Sequence, residues 1–232
     1  MKISPLRSFL LAATLLIGSS VQAEVTLYYN LVAKDPPSVH AALTGWMASE
    51  DSKSGQFVAL YQYIANGENP STHFVAAEFA DMNSMEKANA QAAGSPDWTR
   101  MLRSLSFVAQ PTAEGLALHR AKYGKGWNEQ GFGAIISVAT TNAPAYAEAF
   151  DGLMKSATGR KAPGETRLME NRAGISGVTH FVVVTAPSLT ALNDYLDMLY
   201  SSSDFADFTG KVAGMRTVTG TSYFRRVASW QR

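Results

Sequence analysis

The stretch "STHFVAAEF", Ser71–Phe79, has a near twin in "VTHFVVVTA", Val178–Ala186, so that Thr72 meets Thr179 at an offset of 107 residues. The same offset, without gaps, brings Pro37 to Pro144, Ala42 to Ala149 and "GWMAS" (Gly45–Ser49) to "GLMKS" (Gly152–Ser156). It also brings Gly67 to Gly174 and "SPDW" (Ser95–Trp98) to "SSDF" (Ser202–Phe205). Recurrence at one fixed offset predicts an internal repeat, with one copy at 24–119, a polar, Gly-containing linker at 120–130, and a second copy at 131–232. Tyr28, Trp46 and Tyr63 become Ile135, Leu153 and Glu170 at this offset, which concentrates the aromatic side chains in the first copy.

Each copy parses alike. "EVTLYYNLVA" is β-rich, and Asp35-Pro36-Pro37 then opens a helix in which Val39, Leu43, Trp46 and Met47 fall at helical spacing. "QFVALYQYIA" and "THFVAAEF" flank the turn segment "NGENPS", a helix follows from Asp81 or Ser84, and "GSPDW" breaks it. A further turn or two at 98–105 and a last strand near 115–119 complete the unit. In "SPDW" and "SSDF" the natural helix caps are Asp97 and Asp204. The second copy offers the same series, ending in a strand near 219–227. This β-α-β-β-α-β order is that of a ferredoxin-like unit, a four-stranded antiparallel sheet with both helices on one face. An apolar second face has to be covered, and two tandem units satisfy this by packing sheet to sheet into a barrel. The fold class predicted is therefore α+β.

Lys2 and Arg7, the short apolar run 9–17 and Val21-Gln22-Ala23 read as a signal peptide cleaved near Ala23, which predicts a periplasmic or secreted protein. The run is too short to span a bilayer, which needs about 20 residues, and no membrane insertion is expected. Removing that segment leaves 18 basic residues against 19 acidic ones. Such a balance lacks the basic stripe that nucleic acid requires. There is no Cys, hence no disulfide. Composition is compatible with a monomer or a homo-oligomer.

At "STHFVAAEFADMNSMEKA" and "VTHFVVVTAPSLTALNDYL" the chain resembles the dimeric α/β-barrel superfamily, the stress-responsive and antibiotic-monooxygenase type of barrel. The likeness covers some 35 residues of each copy and implies fused halves of what relatives build as a dimer. It further implies that His73 and His180 look into the barrel, with Phe74 turned to the helices, and that Tyr195, in Asp194-Tyr195, matches a functional tyrosine. Ala88 stands at the matching place in the first copy, and the family's His-Pro-x-His segment is Ser95-Pro96-Asp97-Trp98 and Ser202-Ser203-Asp204-Phe205 here, so its Tyr/His pair is not reproduced. Some barrels of this type hold haem through a histidine on the second helix of a unit. Asp81–Ser95 and Leu189–Ser202 contain none, so no haem or other cofactor is expected.

Candidate catalytic residues are therefore His73 and His180 as acid or base and Tyr195 (or Asn30) as polar partner, and candidate ligand-binding residues are His73, His180, Asn30, Trp46, Tyr63 and Trp98. Histidine suits proton transfer near neutrality, and the Trp and Tyr side chains offer flat apolar area with a polar tip. Each has a plainer use: a strand histidine often serves as a hydrogen-bonded wall, and buried aromatics mostly fill cores. Two histidines without a third ligand fall short of a zinc site. The favoured function is binding of a small apolar or aromatic molecule. The alternatives are a cofactor-independent monooxygenase, cyclase or isomerase, and a scaffold or interaction protein with a solid core. A pocket of roughly 300 Å³ or more marks the first two.

Overall fold

The computed structural model describes residues 23–52 and 56–231, so the predicted signal segment lies, but for Ala23, outside the described residues. The first half runs β1 (Val25–Ala33), α1 (Pro36–Met47), β2 (Phe57–Ala65), β3 (His73–Phe79), α2 (Met82–Ala93), α3 (Pro96–Val108) and β4 (Ala109–Tyr123). The second runs β5 (Phe132–Thr140), α4 (Ala143–Lys155), β6 (Thr166–Ala173), β7 (His180–Ala186), α5 (Leu189–Tyr200), α6 (Ser203–Lys211) and β8 (Arg216–Gln231). Two tandem ferredoxin-like units, with sheet orders β4-β1-β3-β2 and β8-β5-β7-β6, join edge to edge through β2–β8 and β6–β4 into one closed, antiparallel, eight-stranded barrel.

Two strands longer than the sequence reading predicts make the closure. β4 pairs with β1 through 109–118 and with β6 through 116–123. β8 pairs with β5 through 216–225 and with β2 through 223–231. Register shifts at Leu116/Ala117 and at Tyr63/Ala65 accompany the change of partner, as expected where a strand must bend. The predicted linker at 120–130 therefore begins inside β4, and a short 3₁₀ turn at Trp127–Glu129 lies in what remains.

Helix starts follow the local chemistry. Asp35, Asp81 and Ser95 in the first unit, and Asn142, Ser188 and Ser202 in the second, each accept from the backbone N–H three residues on. Asp97 and Asp204 are not the caps: Asp97 pairs with Arg100 one turn on, and Asp204 accepts from the Thr158 N–H. Ser95 and Ser202 hold the cap position just ahead of each helix, whereas Asp97 and Asp204 already lie in its first turn.

The sheet faces are the reverse of the expected ones. Val75, Ala77 and Phe79 pack with Val39, Leu43 and Trp46 beneath the helices, while Phe74 and Ala76 join Tyr61, Phe181 and Phe224 inside the barrel. His73 and His180 share the helix-facing side, and the His180 ring meets the Tyr146 ring of α4 edge-on at 5.7 Å. Each imidazole Nδ1 pairs with the preceding threonine hydroxyl, His73 with Thr72 at 2.9 Å and His180 with Thr179 at 3.0 Å. A strand covered on both faces is apolar on both, so alternation carries no inside–outside signal. The ladders also correct one equivalence: Tyr63 N–H donates to Thr72 O as Asn171 N–H donates to Thr179 O, so the counterpart of Tyr63 is Asn171, one residue beyond Glu170.

At the β4–β6 seam the backbones approach so closely that a Cβ on Gly115 would overlap the Tyr28 hydroxyl and the Ala173 carbonyl. Gly174, at φ +120°, meets the same hydroxyl. Gly115→Ala is expected to cost about 1–3 kcal/mol, read as a lower urea midpoint at unchanged m-value. Acid should loosen the barrel as well. Burial pulls the His73 and His180 imidazoles below the ordinary value of 6.5, and burial with Arg167 and Lys122 pushes His119 down to about 3. Protons therefore bind the unfolded chain more readily. Stability is full above about pH 6.5 and falls as pH is lowered from there; Glu78, raised by burial, opposes this as one group against three. The urea midpoint should drop between pH 7 and pH 5, and His119→Gln should flatten that drop.

Candidate functional site

The barrel interior holds a cavity of about 110 Å³. Its walls are the inward residues of all eight strands: Tyr28, Tyr61, Tyr63, Phe74, Phe181 and Phe224 give aromatic surface, and Ala76, Ala117, Ile135, Met169 and Val183 give aliphatic surface. Tyr61 and Phe74 stack at 4.6 Å, and Phe224 meets both edge-on. The alternation Thr26, Tyr28, Asn30 along β1 places three polar side chains on this face. The volume is below the 300 Å³ expected of a large pocket, and it is not a filled core. A cavity of roughly 150 Å³ accepts a benzene-sized molecule, so a single ring is the upper limit for the space here.

One end of the cavity is built from amides and phenols. Tyr63 donates to Asn30 Oδ1 at 2.8 Å, and Tyr28 donates to Asn171 Oδ1 at 3.0 Å. The Asn171 amide is held in turn by the carbonyls of Ile175 and Val178. Burial raises the hydroxyl pKa of Tyr28, Tyr61 and Tyr63, so these groups stay neutral near pH 7 and act as hydrogen-bond partners, not bases.

The other end is charged. Arg167, buried on β6, bonds Glu78 across the barrel at 2.7 Å and Glu165 at 2.5 Å. Its guanidinium lies 3.4 Å over the Trp127 ring, a cation–π contact out of water. The pairing satisfies charges that would otherwise be costly to bury. The Trp127 side chain also interacts with the Tyr61 hydroxyl. Behind the wall, Thr26 Oγ1 lies 2.7 Å from His119 Nε2.

Of the residues singled out in the sequence, Asn30 and Tyr63 line the cavity and bond each other. His73 and His180 do not: they face separate helix layers outside the barrel and do not share a cavity. Trp46 and Trp98 meet edge-on at 5.1 Å between the helices of the first unit, sealing its outer core. Their counterparts Leu153 and Phe205 leave a smaller space of about 50 Å³ in the second unit, lined also by Tyr146, Thr166, Tyr195 and Arg216. Tyr195 thus belongs to this outer space, its hydroxyl directed at the Gly159 carbonyl, 3.4 Å away. The reading missed Arg167, Glu78, Trp127, Thr26 and His119. Glu78 and Arg167 carried a signal, since each is a charge inside an otherwise apolar strand.

The 50 Å³ space between helices and sheet is far smaller than a porphyrin, and α2 and α5 carry no histidine. Among the described residues no group of three or more His, Cys, Asp or Glu side chains is placed to hold a metal ion, and no helix is long and apolar enough to cross a membrane.

No protein-family model and no curated protein matches the chain. Solved structures match its fold. A protein named as a candidate monooxygenase from Lactobacillus acidophilus NCFM superposes with a TM-score of 0.63 at 10% identity, covering 90% of this chain and 97% of that one. An anthrone oxidase-like protein gives 0.57 at 12% identity, covering 90% and 94%. A chlorite dismutase from Candidatus Nitrospira defluvii gives 0.54 at 8% identity, covering 88% and 91%. The chain is therefore similar in fold, over most of its length, to ferredoxin-like α/β barrels.

Proposed function

We propose that this protein binds a small, flat, largely apolar molecule with a polar substituent inside the barrel, and that it does so after export through the segment ending near Ala23. The observation that carries the reading is the interior space: a cavity of about 110 Å³ walled by seven aromatic side chains, Trp127 among them, with Asn30 and Tyr63 fixed against each other at its edge. An apolar wall with a few convergent polar groups is the usual make-up of a small-molecule site. It speaks against a solid-core scaffold. Its polar groups come from both halves, which read as copies of one unit, so the site is single and asymmetric.

A second reading is cofactor-independent oxygenation of an aromatic substrate. Its support is the pair of similarly folded proteins named as a monooxygenase and as anthrone oxidase-like, together with buried phenols and an amide that would hold a ring hydroxyl or ketone. At about 10% identity those names establish fold only, so binding is the reading put first.

Calorimetric titration with single-ring phenols tests the binding proposal. Ala76→Leu adds bulk at a buried position of the cavity wall and is expected to weaken binding about tenfold or more, while Tyr63→Phe removes one hydrogen bond and should cost about two- to tenfold. Unchanged affinity in a folded Ala76→Leu protein would sink the proposal. Oxygen uptake on adding a single-ring phenol that the protein binds, with no cofactor supplied, separates the oxygenase reading from binding alone.

A further inference from the structure

We infer that Thr26, His119 and Glu24 form a proton relay between the barrel cavity and solvent, serving a ligand with a weakly acidic hydroxyl, a phenol or an enol; the inference rests on the ligand lying in the interior cavity. Thr26, 5% exposed, is itself a cavity wall residue, and its Oγ1 lies 2.7 Å from His119 Nε2. His119 is 7% exposed, and its Nδ1 is buried without a hydrogen bond. That nitrogen points to Glu24 Oε2 at 3.7 Å. Glu24 is partly exposed and also pairs with Lys122. The three side chains thus form one line from the cavity wall to the surface.

The arrangement is odd for a purely structural histidine. A buried ring nitrogen left unpaired costs stability, and the partner it faces sits just beyond bonding distance. A rotation of the Glu24 side chain or one bridging water closes that gap. In the neutral ring, one nitrogen donates and the other accepts. With the proton on Nδ1, Nε2 accepts from Thr26, and the chain is ready to move a proton outward.

The transfer balances. A ligand hydroxyl beside Thr26 gives its proton to Oγ as the Thr26 proton passes to His119 Nε2, and the Nδ1 proton passes to Glu24 and then to water. No bond between heavy atoms changes, the imidazole ends neutral in its other tautomer, and the ligand remains as an oxyanion. The groups around His119 suit a ring that hands protons on without keeping them. Arg167 from β6 and Lys122 from β4 oppose a lasting positive charge there, as burial does, while Glu24 ahead of β1 takes the proton away. Glu78 of β3 is bound to Arg167.

The test uses p-nitrophenol, whose ionisation is visible, and p-nitroanisole, which has no proton to lose. Stopped-flow proton release on mixing p-nitrophenol with the whole protein should slow about a hundredfold in Thr26→Val and in His119→Gln, and His119→Gln, which does not line the cavity, should keep its p-nitroanisole affinity. Long-range ¹H–¹⁵N spectra of the ligand-free protein should show His119 as the neutral Nδ1–H tautomer, and Glu24→Gln should slow exchange of that proton with water. An Nε2–H tautomer, or equal release rates in wild type and both variants, overturns the relay. If neither probe binds the wild type, the interior-ligand reading fails instead, and tautomer and exchange alone then decide the relay.

Discussion

Everything in this molecule depends on two strands that change partners halfway along their length. β4 and β8 each begin in their own sheet and end on the other unit's edge strand. A four-stranded sheet alone would leave an open edge at each side, with unpaired N–H and C=O groups. Passing the second half of one long strand to the neighbouring sheet removes both edges at once. The cost is a close crossing of backbones, met by Gly115 and Gly174 at one seam.

Closure also decides the chemistry of the interior. A polar group on the inner face must find its partner among the other inner groups, because water has little access. The inner residues accordingly come in bonded sets: Asn30 with Tyr63, Tyr28 with Asn171, Arg167 with Glu78 and Glu165, and Thr26 with His119. All four sets join positions far apart in the chain, and two of them, Tyr28 with Asn171 and Arg167 with Glu78, join the two units, so they hold the register of the barrel.

The architecture was legible in the sequence because it rests on local signals. Turn residues, helical spacing and the repeated Thr-His-Phe-Val strand gave the order of elements and the tandem arrangement of units. The long strands were underestimated because residues 120–123, Arg-Ala-Lys-Tyr, look polar and loop-like. They are tolerated in a strand since Arg120 and Lys122 reach Glu170 and Glu24 at the surface. The site was half legible. Asn30 and Tyr63 stood out as polar-tipped side chains in apolar strands, whereas the inward or outward sense of His73 and His180 was not encoded in a strand buried on both sides. Trp127 and His119 act through partners 40 to 93 positions away, and no local pattern records such distances. A single extra residue ahead of β6 was enough to hide the equivalence of Tyr63 with Asn171.

The connector after β4 joins two units already held by long ladders, so its contribution is not chiefly mechanical. It fixes composition, since each first half always meets a second half and never another copy of itself. In a symmetric dimer, every substitution appears twice and every inner contact must tolerate its own mirror image. Joined in one chain, the two walls are free to specialise: Tyr28 meets Asn171 at one seam with no reciprocal pair required at the other, and one outer layer is sealed by tryptophans while its counterpart keeps a gap.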